Sequence, residues 1–226
     1  MATGVQPVVM IGEALEGKTY PFEPRAFAQV IWSGPTGTQP FGQKPLAEDK
    51  SGFHTVGHGL HILAVESFPR AHLYRSEQSF RNHIASIGLG GRVNTAGASV
   101  MADGSVTETY RRFSKTLLEL GGSGGSDRRV GLEKEWVLGR DGFRLYSGRR
   151  VAKRQPAYLC CLPSDGGPVS TVQMETDGQG RFDYAFPASS QCLLNAVFVN
   201  RQADGSWASD WVSTFFPTDL VKKAGK

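Results

Sequence analysis

Apolar and polar residues alternate along most of this chain in short runs. In the second half these runs are FRLYSG, QPAYLCCLP, VSTVQMET, GRFDYAFP, CLLNAVFVN and WVSTFFP. They are rich in β-branched and aromatic residues and are bounded by Gly, Pro, Asp or Ser, so each reads as a short strand. The Asp-Gly steps in SDGG, TDGQG and QADGS are strong hairpin turn signals. On CLLNAVFV the alternation puts Cys192, Leu194, Ala196 and Phe198 on one apolar face, with Asn195 opposite. Strands this short and this closely spaced predict a small antiparallel β-sandwich.

The first half opens in the same way. RAFAQVIWSG, GFHTV and LHILAVES read as strands, and GPTGTQPFG as a loop. The period then changes. In SEQSFRNHIASIGLGG, Phe80, Ile84 and Ile87 follow i, i+4, i+7 and line one helical face. Ser76 can cap that helix and Gly88 can end it. TETYRRFSKTLLELG supports two periods. Ser105 and Glu108 form a capping-box pattern, and Tyr110, Phe113 and Leu117 fit a helix. Phe113, Lys115, Leu117 and Glu119 also alternate with their neighbours as a strand would. The expectation is a helical turn near Ser105 that runs into a strand.

GGSGGSDRR, residues 121–129, has the composition of a flexible linker. It divides the chain into an N-terminal β-sandwich with a helical insertion (1–120) and a C-terminal sandwich (130–220). The fold class expected is mainly β: two Ig-like antiparallel β-sandwich domains, the first with a short helical insertion.

Composition changes this picture little. The chain is 39% hydrophobic and 20% charged, enough apolar mass for a packed core. No run approaches the roughly 18 apolar residues of a membrane-spanning helix. MATGVQPVVMIGEALEG lacks the basic and apolar regions of a signal peptide, which fits either a cytosolic protein or the mature form of an exported one. The net charge of +4 comes largely from pairs: Arg111-Arg112, Arg128-Arg129, Arg149-Arg150 and Lys153-Arg154. These read as solvated strand ends and loops. Neither zinc-finger spacing nor an aromatic RNA-binding strand motif occurs, so no nucleic-acid partner is expected.

Catalytic signatures are weak. GGSGG superficially resembles a nucleophile elbow but lacks the strand-to-helix context. Glu13, Glu16, Glu108, Glu133 and Glu135 offer carboxylates, yet nothing links two of them as glycoside hydrolysis needs. No Tyr-His spacing suggests an iron oxygenase. The expectation is a non-enzymatic protein.

The order of several segments resembles an uncharacterised bacterial family of periplasmic proteins associated with nickel or cobalt uptake. The pieces are GEALEGKTYPFEPRAFAQV, GHGLHILAVES, SFRNHIASIGL, ETYRRFSKTLLELGG and METDGQGRFDYAFP…CLLNAVFVN…WVSTFFP. The resemblance implies two Ig-like sandwiches, an exported location (periplasmic or extracellular) and a binding role, with an envelope or surface protein as a candidate partner. Members of that family begin their mature chain with a His, and Met1 to Gly12 contains none.

GFHTVGHGLHILAVE carries three histidines in eight positions: His54, His58 and His61. Gly57 and Gly59 break any helix there. A turn centred on Gly57-His58 would pair His54 with His61, whose Cβ atoms would lie about 4.5–5.5 Å apart. Two imidazoles at that distance can share a divalent transition metal such as nickel, cobalt, zinc or copper, with His58 as a third ligand. Histidines on an exposed hairpin also occur without any ligand. His72 and His83 could join only if the helix folds back over the hairpin. Glu66 and Asp49 are the nearest acidic candidates.

Cys160 and Cys161 are adjacent on a strand and point to opposite faces. A Cys161–Cys192 bridge across the sandwich in an exported protein, and buried free thiols, are both compatible with the pattern. Trp207, Trp211, Phe215 and Phe216 gather near the end of the chain, where packing is the ordinary role. ADGSWASDW is polar, turn-rich and aromatic, which makes it the best recognition segment of the second half. The expected function is therefore an envelope or extracellular binding protein that would hold a transition metal. The alternative is a structural or protein-interaction module with no small-molecule ligand.

Overall fold

The computed structural model describes residues 4–5, 8–13, 15–35, 37–40, 53–54, 58–95, 101–121 and 125–224. The fold is mainly β. The strands of the first half are β1 (Gly4–Val5), β2 (Val8–Glu13), β3 (Glu16–Pro21), β4 (Phe27–Gly34), β5 (Gly37–Pro40), β6 (Phe53–His54), β7 (Gly59–Ser67), β8 (Arg70–Tyr74) and β9 (Val106–Leu120). Those of the second half are β10 (Lys134–Gly139), β11 (Gly142–Ser147), β12 (Arg150–Val151), β13 (Pro156–Pro163), β14 (Ser170–Glu175), β15 (Arg181–Phe182), β16 (Ser190–Arg201) and β17 (Trp207–Pro217). The described helices are α1 (Glu77–Ser86) and α2 (Asp219–Ala224). No described helix is long and apolar enough to cross a membrane.

A nine-stranded sheet runs in the order β14-β13-β16-β17-β9-β7-β4-β5, with β8 also paired to β9. A smaller sheet of β10, β11, β12 and β15 packs against it, and β2-β3 and β1-β6 form separate ribbons. Residues 121–129, the expected division between domains, lie between β9 and β10. Strands on either side of them share the large sheet: β9 and β17 pair in parallel from Glu108 opposite Trp207 to Thr116 opposite Phe215. They also share one core. Ile62, Phe113 and Leu117 from the first half are buried with Trp136, Phe143, Leu194, Val212 and Phe216 from the second. Each such side chain contributes about 1.5–3 kcal/mol on burial. The Trp136 indole N–H donates to the Val212 carbonyl at 3.2 Å and ties the two layers together.

The alternation explains which side chains meet. Cys192, Leu194 and Ala196 of β16 face the core as expected, while Val197 faces outward beneath α1. Ser76 caps α1 through its hydroxyl, and Gly88 follows the helix at φ +77°. A side chain at Gly88 would collide with Gln173 of β14, so glycine there also permits close packing. The Asp turns work as local caps: the carboxylates of Asp103, Asp165, Asp177 and Asp204 each accept the N–H two residues on.

The segment after Ser105 differs from expectation. No helical turn forms at Ser105. Its N–H and hydroxyl both bond Asp103, and the whole of TETYRRFSKTLLEL is strand β9. Glu108 is not a capping residue but faces Tyr74. Pairing on both edges of β9 supplies more backbone bonds than one capped turn could.

An ion cluster inside the sandwich holds Asp127 and Arg128, at the end of 121–129, together with β10. Lys115 of β9 is 1% exposed. Its ammonium lies 2.7 Å from Asp127 Oδ1 and 3.7 Å from Glu135 Oε2, and donates to the carbonyls of Arg128 and Trp136. Asp127 also accepts the N–H of Leu138, and Glu135 accepts that of Val130. Burial pushes the Asp127 carboxyl up against the opposing pull of Lys115.

Candidate binding face

The outer face of the large sheet, away from the small sheet, is where β8, β9, β17 and α1 meet. Opposite β7 and β8, strand β9 is continuous. Glu66 pairs with Phe113 and Arg70 with Tyr110, so Ser67, Phe68 and Pro69 stand against only Arg111 and Arg112. That is a one-residue bulge, and Pro69, which has no N–H to donate, falls inside it. The Ser67 hydroxyl accepts the Arg112 N–H at 2.9 Å and closes the bulge.

The bulge places Arg112 among aromatic rings. Its guanidinium lies 5.6 Å from the Tyr110 ring centre and 5.7 Å from that of Trp211, its cross-strand neighbour. Such contacts hold a guanidinium in place without consuming its hydrogen bonds. The Trp211 indole N–H donates to Ser209 at 3.2 Å, which orients the ring. His83 of α1 sits 5.9 Å from Trp211 and 5.4 Å from Tyr74. His72 meets Tyr74 edge-on at 4.5 Å. Beneath them the Tyr74 hydroxyl donates to Glu108 Oε2 at 2.5 Å, and both groups are buried. Burial, reinforced by the Glu108 hydrogen bond, pushes the Tyr74 hydroxyl far up, so it remains a donor. Arg70, His72 and Arg112 are exposed, and Tyr110 and Trp211 are half-buried.

The basic pair Arg111-Arg112 is split by the strand's alternation. Arg111 faces the sandwich side and is held by Asp210 at 3.0 Å, Glu133 at 3.0 Å and Glu66 at 3.4 Å. Lys134 completes this network with Glu133 at 2.9 Å and Asp210 at 2.6 Å. Burial raises the Glu66 carboxyl, while the hydrogen bond from Lys134 lowers that of Glu133. No carboxylate pairs with Arg112 or Arg70 among the described residues.

The histidines of the 54–61 stretch do not form the expected hairpin. His54 stands opposite Gly4 in the β1-β6 ribbon, and His61 stands opposite Leu118 of β9. The His54 side chain and Asp49 lie outside the described residues, as does Ser123 of GGSGG. His61 is 2% exposed, 5.2 Å ring to ring from Trp32 and packed against Gly34. His58 is exposed, and its ring lies over Gly121 at φ +68°. Among the described residues no three His, Cys, Asp or Glu side chains gather as metal ligands.

Cys161 and Cys192 form a disulfide, with Cα atoms 4.1 Å apart. It joins directly opposed residues of the neighbouring strands β13 and β16 within one sheet, not the two layers of the sandwich. Cys160 is buried on the opposite face, where burial pushes its thiol up. Trp207 is core, packed 5.0 Å from Phe80 of α1, and Trp211 alone of this pair reaches the outer face. The sequence does not single out Tyr110 or Arg112 as site residues, and His72 enters there only as a residue that could join the metal site. The available signal was the period-2 reading of TETYRR, which puts Glu108, Tyr110 and Arg112 on one face. Comparisons with protein-family models, with curated proteins and with solved structures find no match to this chain.

Proposed function

We propose that this protein is a non-enzymatic binding protein of the cell envelope or exterior, and that it engages a protein partner through the outer face built from β8, β9, β17 and α1. One observation carries the reading. An exposed arginine, flanked by a tyrosine and a tryptophan, is left without a carboxylate among the described residues, while Arg111 beside it in the strand and Arg81 of α1 are paired. Trp, Tyr and Arg are the side chains that most often dominate protein interfaces. The rigid strands and the bulge position them in advance, which lowers the ordering cost of association. The Cys161–Cys192 disulfide supports an oxidising compartment.

The test is site-specific photo-crosslinking in the cells that make the protein. A crosslinker replaces exposed His72 on the outer face, and a control replaces exposed Arg149 in the turn between β11 and β12. The expected result is one discrete adduct at position 72 only. Excess wild-type protein should suppress it, and excess Arg112→Ala/Trp211→Ala protein should not. Equal adducts at both positions, or competition by the variant, would contradict the reading.

A further inference from the structure

Resting on that reading of the outer face, we infer the chemistry of the partner: an extended acidic polypeptide segment with carboxylates at alternate positions. Charge complementarity carries this. Every carboxylate on the four elements of the face is already engaged: Glu77 by Arg81, Glu108 by Tyr74, Glu119 by Lys223, and Asp210 by Arg111 and Lys134. Of the lysines and arginines on the same elements, Arg81, Arg111 and Lys115 are likewise paired. Arg70 and Arg112 remain, both exposed and both on the outer face.

Their spacing selects the ligand's shape. Arg70 stands opposite Tyr110 and is therefore diagonal to Arg112 across one strand pair. Diagonal neighbours lie about 7–8 Å apart. Alternate residues of an extended chain lie about 6.6–6.8 Å apart and point to one side. A Glu-x-Glu segment thus presents two carboxylates at the backbone spacing of the two arginines, and each carboxylate can accept a two-pronged hydrogen bond from a guanidinium. Trp211 and Tyr110 flank Arg112 and offer apolar surface to the intervening backbone.

The experiment titrates the full chain with a fluorescein-labelled peptide of four Glu-Ser repeats, its Gln-Ser counterpart and polygalacturonate, at low and high salt. The expected result is binding of the Glu peptide only, weakened at least tenfold by Arg112→Ala or Arg70→Ala and steeply by salt. Equal binding of the Gln peptide, or binding unchanged in both variants, overturns the inference. Binding of polygalacturonate alone overturns it in favour of an acidic polysaccharide. If no peptide binds while the position-72 adduct persists, the partner chemistry is wrong and the binding face stands. If both fail, the reading of the face fails as well.

Discussion

The guanidinium of Arg112 lies 5.7 Å from the ring centre of Trp211, directly across the parallel pairing of β9 and β17. Arg112 is exposed, so this contact contributes only about 0.5–1 kcal/mol to stability. Arg112→Ala should therefore shift the urea unfolding free energy by no more than about 1 kcal/mol, while weakening partner binding at least tenfold. Parallel losses of stability and binding would make Arg112 a packing residue.

Lys115 behaves oppositely. Lys115→Met leaves Asp127 buried without its cation, and Glu135 with Arg129 at 3.1 Å alone. Breaking a buried ion cluster in this way costs about 3–5 kcal/mol. Adding Asp127→Asn should recover part of that loss, because the stranded charge is removed. A double-mutant cycle from denaturant unfolding reads the coupling, and additive effects would show that the cluster does not act as a unit.

Glu66 gives a pH signature. It shares its network with Glu133 and Asp210 against Arg111 and Lys134, and burial raises its carboxyl above the ordinary value of 4.5. A raised folded-state value means that the native protein holds the proton more tightly than the unfolded chain. The associated stability is present below 4.5 and declines as pH rises through the raised value. Glu66→Gln removes this penalty, so the variant should gain stability relative to wild type between pH 4 and pH 7. Urea midpoints measured at both pH values check this, and a relative loss toward pH 7 would give the opposite sign.

The Cys161–Cys192 bridge closes a loop of 31 residues. Loop-closure entropy for that length corresponds to about 3–4 kcal/mol. Cys161→Ala/Cys192→Ala should lose that stability without loss of fold, as read by unfolding midpoints beside a circular dichroism spectrum. An unchanged midpoint would show that the bridge does not constrain the unfolded chain.

Local patterns were legible and long-range pairings were not. Ser76, Phe80 and Ile84 announce α1 because cap and period lie within a few residues of one another. The Asp turns and the inward face of β16 are local for the same reason. Ser105 and Glu108 satisfy a capping pattern locally; the strand prevails only through partners as distant as Trp207. The parallel pairing of β9 with β17 leaves no mark in either segment alone. Loop length alone pairs His54 with His61, whereas in the structure His54 stands opposite Gly4 of β1 and His61 opposite Leu118 of β9. Arg112 is marked as a candidate by Trp211, which only the β9–β17 pairing brings beside it.

The most direct measurement is hydroxyl-radical footprinting of the wild-type full chain, free and with the partner that the position-72 adduct identifies. It reads the solvent access of aromatic, histidine and methionine side chains. Protection of Tyr110, Trp211 and His72, with the exposed Met10 and Tyr20 of the β2-β3 ribbon unchanged, is the expected result. Protection confined to Met10 and Tyr20, with Trp211 oxidised as before, would place the partner on that ribbon and contradict the binding face.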